Sequence, residues 1–112
     1  MVAFAVVLAG HLLALYWPRV DVPESVPGGS DKVAHVLLFA LPVLAGAVAV
    51  RRSWLVVSAL AVHAPVSEWL QATVLPHRRG DLSDAIADLV GVVVGVVAAA
   101  GLRRRGRRAL VD

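Results

Sequence analysis

Apolar positions fall in four long runs along this chain, separated by short stretches rich in proline, glycine and charge. The first run, residues 2–17, is at the short end of the roughly 17–25 residues a helix needs to cross a bilayer. It opens without Lys or Arg and closes on Tyr16-Trp17-Pro18. It therefore reads as a retained helix with aromatics at a membrane interface rather than as a cleaved signal peptide. Pro18, Pro23, Pro27 and Gly28-Gly29 make the next stretch a loop. The second run, residues 31–50, starts where Ser30 can cap a helix and Asp31 suits its first turn, and it ends at Arg51-Arg52. Pro42 inside it predicts a bend that neighbouring helices can accommodate. The third run, 54–75, carries Pro65 and stops at Pro76. After the turn His77-Arg78-Arg79-Gly80, Asp81 is placed to cap the fourth run, 82–102, and a basic tail, 103–112, is expected to fray. The pattern predicts an all-α fold, one domain of four helices.

Composition turns that bundle into a membrane protein. The chain is 59% hydrophobic, with a mean hydropathy of +0.78, against about 45–50% apolar residues in soluble domains. An integral membrane bundle of four transmembrane helices, multi-pass in the cell membrane, is the expectation, with the lipid bilayer as its first partner. The absence of cysteine removes disulfide and thiolate chemistry. A net charge of +3 could suggest nucleic acid. However, Arg51-Arg52 and Arg103, Arg104, Arg105, Arg107 and Arg108 directly follow apolar runs and have no aromatic stacking platform beside them. No nucleic-acid partner is expected. Basic flanks mark cytoplasmic ends, so both termini are expected inside, and the loops 18–30 and 76–83 outside. A bundle this small has a limited core, which is compatible with association between copies.

This sidedness gathers the polar residues. Asp31, His35, Glu68, Gln71, Arg79, Asp81, Asp84 and Asp88 come to one end of the bundle from three helices. Asp31 and His35 share a helix face, as do Glu68 and Gln71. Asp84, Asp88, Gly91 and Gly95 step by four, three and four and form one stripe. Ala87, Gly91, Gly95 and Ala99 make the same side narrow enough for close helix contact. Lys32 points elsewhere and can snorkel to headgroups. His63 faces away from Glu68, and His11 reads as a single histidine turned toward other helices. Asp31, Asp81 and Asp84 also suit helix starts. Glu68 and Asp88 lie too deep for that, and an ionised carboxylate there must pair, protonate or line a wet cavity. A structural salt bridge, with Arg79 or His35 as counter-group, is one reading. The others are a binding site and a catalytic site built on His35, Glu68 and Asp84. No cofactor is predicted; the donor set of His35, Glu68 and Asp84 or Asp88 is compatible with a divalent metal ion.

At these residues the chain resembles the VanZ-like family of small membrane proteins. The matching stretches are DKVAH at Asp31–His35, SEWLQ at Ser67–Gln71 and RRGDLSDAIADLVGVVVG at Arg78–Gly95. Asp88 stands where the family usually has Asn, and Phe39 where an aromatic with a hydroxyl is common. The resemblance implies a polytopic protein of the cell envelope, and its name-giving member is associated with resistance to the glycopeptide teicoplanin. Three functions are carried forward. One is binding of a lipid headgroup or lipid-linked glycan that influences glycopeptide susceptibility. The others are an intramembrane enzyme acting on a lipid-linked substrate and a proton- or solute-coupled carrier.

Overall fold

Runs of Val, Ala and Leu carry no competing turn chemistry, and each of the four folds as a helix. In the computed structural model these are α1 (Val2–Tyr16), α2 (Ser30–Ala49), α3 (Ser53–Thr73) and α4 (Leu82–Val111), with no strand among the described residues. The structure describes residues 1–16, 30–74 and 82–112, apart from the side chains of Ser30 and Asp31. The roles expected of Asp31, Arg79 and Asp81 therefore lie outside the described residues. Between α2 and α3 the chain turns at Arg51-Arg52, where the Val50 amide donates to the Gly46 carbonyl and the Leu55 amide to that of Arg52.

The tail corrects an expectation. Residues 103–111 do not fray but continue α4, which reaches 30 residues. Arginine, alanine and leucine are good helix formers, and cations suit a helix C-terminus. Arg103 also ties the segment down: its Nη2 donates to the Ala47 carbonyl at 2.9 Å and to Ser53 Oγ at 3.2 Å.

α2 and α4 run parallel and in closest contact, with α3 antiparallel to both. Lys32 lies beside Asp84 and His35 beside Asp88 at one end; Arg103 reaches Ala47 at the other. The predicted small-residue stripe is the reason these helices approach so closely. Ala87, Gly91, Gly95 and Ala99 are all buried. A Cβ on Gly91 would collide with the Val36 carbonyl oxygen, and one on Gly95 would lie 2.7 Å from Val43 Cβ and 2.8 Å from the Ala40 carbonyl oxygen. Leu15, Phe39, Val43, Leu60, Ala64 and Val92 fill the core between the four helices.

Burial is inverted relative to a water-soluble domain. His11, His35, Ser67, Glu68, Gln71, Asp84 and Asp88 are buried, whereas Val33, Leu37, Trp54, Trp69, Ile86 and Val93 are among many large apolar side chains left exposed. Among the described residues, two helices, α4 and the Lys32–Ala49 stretch of α2, are long and apolar enough to cross a membrane by length and composition; α1 is apolar but shorter.

Adding one methyl group at Gly91 or Gly95 should cost about 1–3 kcal/mol, because the facing atoms are backbone or a β-branched carbon that cannot move aside. Gly101→Ala, where nothing lies within 4 Å of the new carbon, should be neutral or stabilising. Reversible unfolding in detergent micelles tests this, and equal stabilities for the three variants would contradict the packing account.

Candidate functional site

Two groups of buried and half-buried polar side chains are present, one shared by α2, α3 and α4 and the other by α1 and α3 with a backbone carbonyl of α2. The first contains His35, Glu68, Asp84 and Asp88, four of the eight site residues expected from the sequence. His35 lies one turn into α2 from Asp31; Glu68 is near the end of α3; Asp84 and Asp88 occupy the first two turns of α4. His35 Nδ1 donates to Asp88 Oδ1 at 2.7 Å. The same nitrogen is 3.8 Å from Glu68 Oε1, and His35 Nε2 is 3.8 Å from Asp84 Oδ2. Asp88 is wholly buried, and His35, Glu68 and Asp84 are almost so. One imidazole therefore has three carboxyl groups around it, contributed by two other helices.

Lys32 differs from its expected role. It does not turn away from the cluster, because its ammonium bridges to Asp84 Oδ1. A lysine stem is long enough to reach sideways from its own helix face, and the parallel α2–α4 contact brings Asp84 into range. Asp84 accordingly serves as more than a helix-start acid: it joins the ammonium of Lys32 to the imidazole of His35.

Gln71, expected in the same site, is committed elsewhere. Its Nε2 donates to the Leu15 carbonyl at 2.8 Å. Leu15 belongs to the last turn of α1, whose carbonyls have no helical partner, so Gln71 caps a neighbouring helix. Ser67 bonds within its own helix, to the Ala64 carbonyl at 2.9 Å.

The second group was not apparent from the sequence. His11 Nδ1 lies 2.6 Å from the Leu38 carbonyl oxygen, His11 Nε2 lies 3.2 Å from His63 Nδ1, and His63 Nε2 lies 2.6 Å from the Tyr16 hydroxyl. A carbonyl only accepts, so His11 Nδ1 carries the proton. With neutral rings, His11 Nε2 then accepts from His63 Nδ1, and His63 Nε2 accepts from the tyrosine O–H. Every link of the chain is satisfied in one direction. The Leu38 carbonyl is available because the residue four positions later is Pro42, which has no N–H to donate to it. His11 of α1 supplies the missing donor. The signal was present in the sequence as Pro42 and an unexplained histidine, but spacing within one helix cannot show which carbonyl a residue on another helix will meet. Below this chain, α1 and α3 enclose an apolar crevice of about 350 Å³ lined by residues including Phe4, Leu8, Leu55 and Leu60.

Chemically, the first group can hold a cation or move a proton, since it combines a basic imidazole with several carboxyl oxygens in one apolar setting. The second is a closed relay whose ends are a backbone carbonyl and a phenol. In comparisons with protein-family models, curated proteins and solved structures, nothing matches this chain.

The structural role of His11 is separable by a double-mutant cycle. His11→Leu should destabilise the protein by about 1–3 kcal/mol, since it leaves a buried carbonyl unsatisfied. In a Pro42→Ala background the residue 42 amide can donate to Leu38 itself, and the cost of His11→Leu should fall by about 1 kcal/mol. Additive costs in thermal unfolding would separate His11 from Pro42 and refute the link.

Proposed function

We propose that this chain is a VanZ-like integral membrane protein, a bundle crossing the cell membrane four times with both termini in the cytoplasm. Its outward-facing polar end binds a lipid headgroup or a lipid-linked glycan, and through that binding it influences susceptibility to glycopeptides such as teicoplanin. The observation that carries the binding role is the convergence of Lys32, His35, Glu68, Asp84 and Asp88 at one end of the bundle. A cluster holding both an ammonium and several carboxylates offers complementary partners to a zwitterionic or sugar-bearing headgroup.

The membrane setting is supported by the inverted burial. Exposed valine, leucine and tryptophan surround buried histidine, aspartate and glutamate, the arrangement that hydrocarbon favours and water does not. α2 and α4 have the length and composition to span. α1, at 15 residues, extends about 22 Å against a hydrocarbon core of about 30 Å. Local thinning of the bilayer and the interfacial aromatics at its end can cover the difference. In α3, Ser67, Glu68 and Gln71 are buried.

A second reading is an enzyme acting on a lipid-linked substrate. His35 Nδ1 is 3.8 Å from Glu68 and its Nε2 3.8 Å from Asp84, so each edge of the ring pairs an imidazole nitrogen with a carboxyl group, the components of general acid–base chemistry. A carrier has less support. Phe39, Val43, Leu60 and Val92 belong to the buried apolar core of the bundle.

Two measurements test the proposal. Tags placed in the 76–80 turn should be reached from outside intact cells, and tags at either terminus should not; the reverse pattern would remove the sidedness. Glu68→Gln should fold normally yet retain severalfold less lipid in mild detergent, and unchanged lipid content would remove the headgroup role.

A further inference from the structure

The geometry points to a metal site: we propose that His35, Glu68 and Asp88 bind one first-row divalent cation, and that Asp84 holds the imidazole in its ligating tautomer. A nitrogen of His35 and a carboxyl oxygen from each of Glu68 and Asp88 lie within 4.8 Å of one another, on three different helices. Ligand atoms around an ion at 2.0–2.2 Å are separated by roughly 3–4 Å. Small side-chain rotations close the set, since His35 Nδ1 is already 2.7 Å from Asp88 and 3.8 Å from Glu68.

A second observation points to a ligand. Asp88 is 0% exposed, and while its Oδ1 takes the His35 hydrogen bond, Oδ2 on the same carbon is buried with no hydrogen-bond partner. A fully enclosed carboxyl oxygen without a donor is costly unless something positive meets it. A neutral imidazole and two carboxylates sum to a charge that a divalent ion cancels. Imidazole combined with carboxylates suits Mn²⁺, Fe²⁺ or Zn²⁺ and not a soft ion such as Cu⁺.

Asp84 and Lys32 fit the surroundings of such a site. Ligation through His35 Nδ1 moves the ring proton to Nε2, the nitrogen that faces Asp84 Oδ2 at 3.8 Å. A carboxylate behind a ligating histidine fixes its tautomer and raises its basicity. Asp84 is itself held by Lys32, so this carboxylate is positioned without being spent on the ion. Three protein ligands leave at least one coordination position for water or an anionic oxygen. The site goes beyond headgroup binding and does not depend on it.

The test uses the full chain in mild detergent, stripped with a chelator and then dialysed against MnCl₂ or ZnCl₂. Elemental analysis of the wild type should give about one ion per chain. Asp84→Asn should weaken affinity roughly 10–100-fold, Glu68→Gln and Asp88→Asn should weaken it further, and Gly101→Ala should not change it. If a variant fails to fold, the wild type decides alone: pulsed EPR of the Mn²⁺-loaded protein should show coupling to a single imidazole nitrogen, and its absence would overturn the site. Markedly substoichiometric metal, or equal affinity in Asp88→Asn, would also overturn it and leave a proton shared between the carboxyls as the account of Asp88. Lipid retained in the same samples is measured separately. Metal bound without lipid upholds the site while removing headgroup binding, and lipid bound without metal does the opposite.

Discussion

The distance between α2 and α4 governs what this protein can do. Gly91 and Gly95 let the two backbones meet so closely that no side chain fits between them. That contact fixes the register in which Lys32 faces Asp84 and His35 faces Asp88. A parallel pair is unusual as the tightest contact of a four-helix arrangement, since chain neighbours run antiparallel. Here it has a chemical result: the starts of two helices lie side by side, and the polar residues in their first turns share one end. α3 then contributes Glu68 from its last turns. The polar cluster is thus an outcome of packing between small residues one to two turns along α4 from Asp88.

The same structure shows how a largely apolar bundle closes backbone carbonyls that its helices leave open. Pro42 deprives the Leu38 carbonyl of its helical donor, and the end of α1 leaves the Leu15 carbonyl open. Side chains from other helices, His11 and Gln71, close both. In the proposed bilayer setting, which offers no water, each such bond has no replacement. The buried polar residues therefore divide by purpose. His11, His63, Tyr16, Ser67 and Gln71 complete the hydrogen bonding of the fold, whereas His35, Glu68, Asp84 and Asp88 converge without any backbone defect to repair.

Much of this was legible in the sequence. Four apolar runs gave four helices, and the four-residue repeat of Ala87, Gly91, Gly95 and Ala99 marked the contact face correctly. His35, Glu68, Asp84 and Asp88 followed from helix periodicity together with the placement of the arginines. What the sequence did not reveal has a common physical cause. Periodicity assigns a residue to a face but not to a partner. Lys32 is off the Asp31–His35 face by periodicity, yet its long stem reaches Asp84. Gln71 shares a face with Glu68 but extends to a different helix. The arginine tail was read by charge alone, and its helix propensity and the anchoring of Arg103 carried α4 to Val111.

The bonds that hold α1 have a direction in time. Its partners are the Leu38 carbonyl, His63 and Gln71, and each lies later in the chain. A ribosome releases α1 before any of them exists. In the proposed bilayer setting, α1 must wait with its histidine unmatched until α2 and α3 follow. The order of assembly is therefore set from the C-terminal side of α1: the parallel pair and α3 supply the dock, and α1 is held by segments made after it.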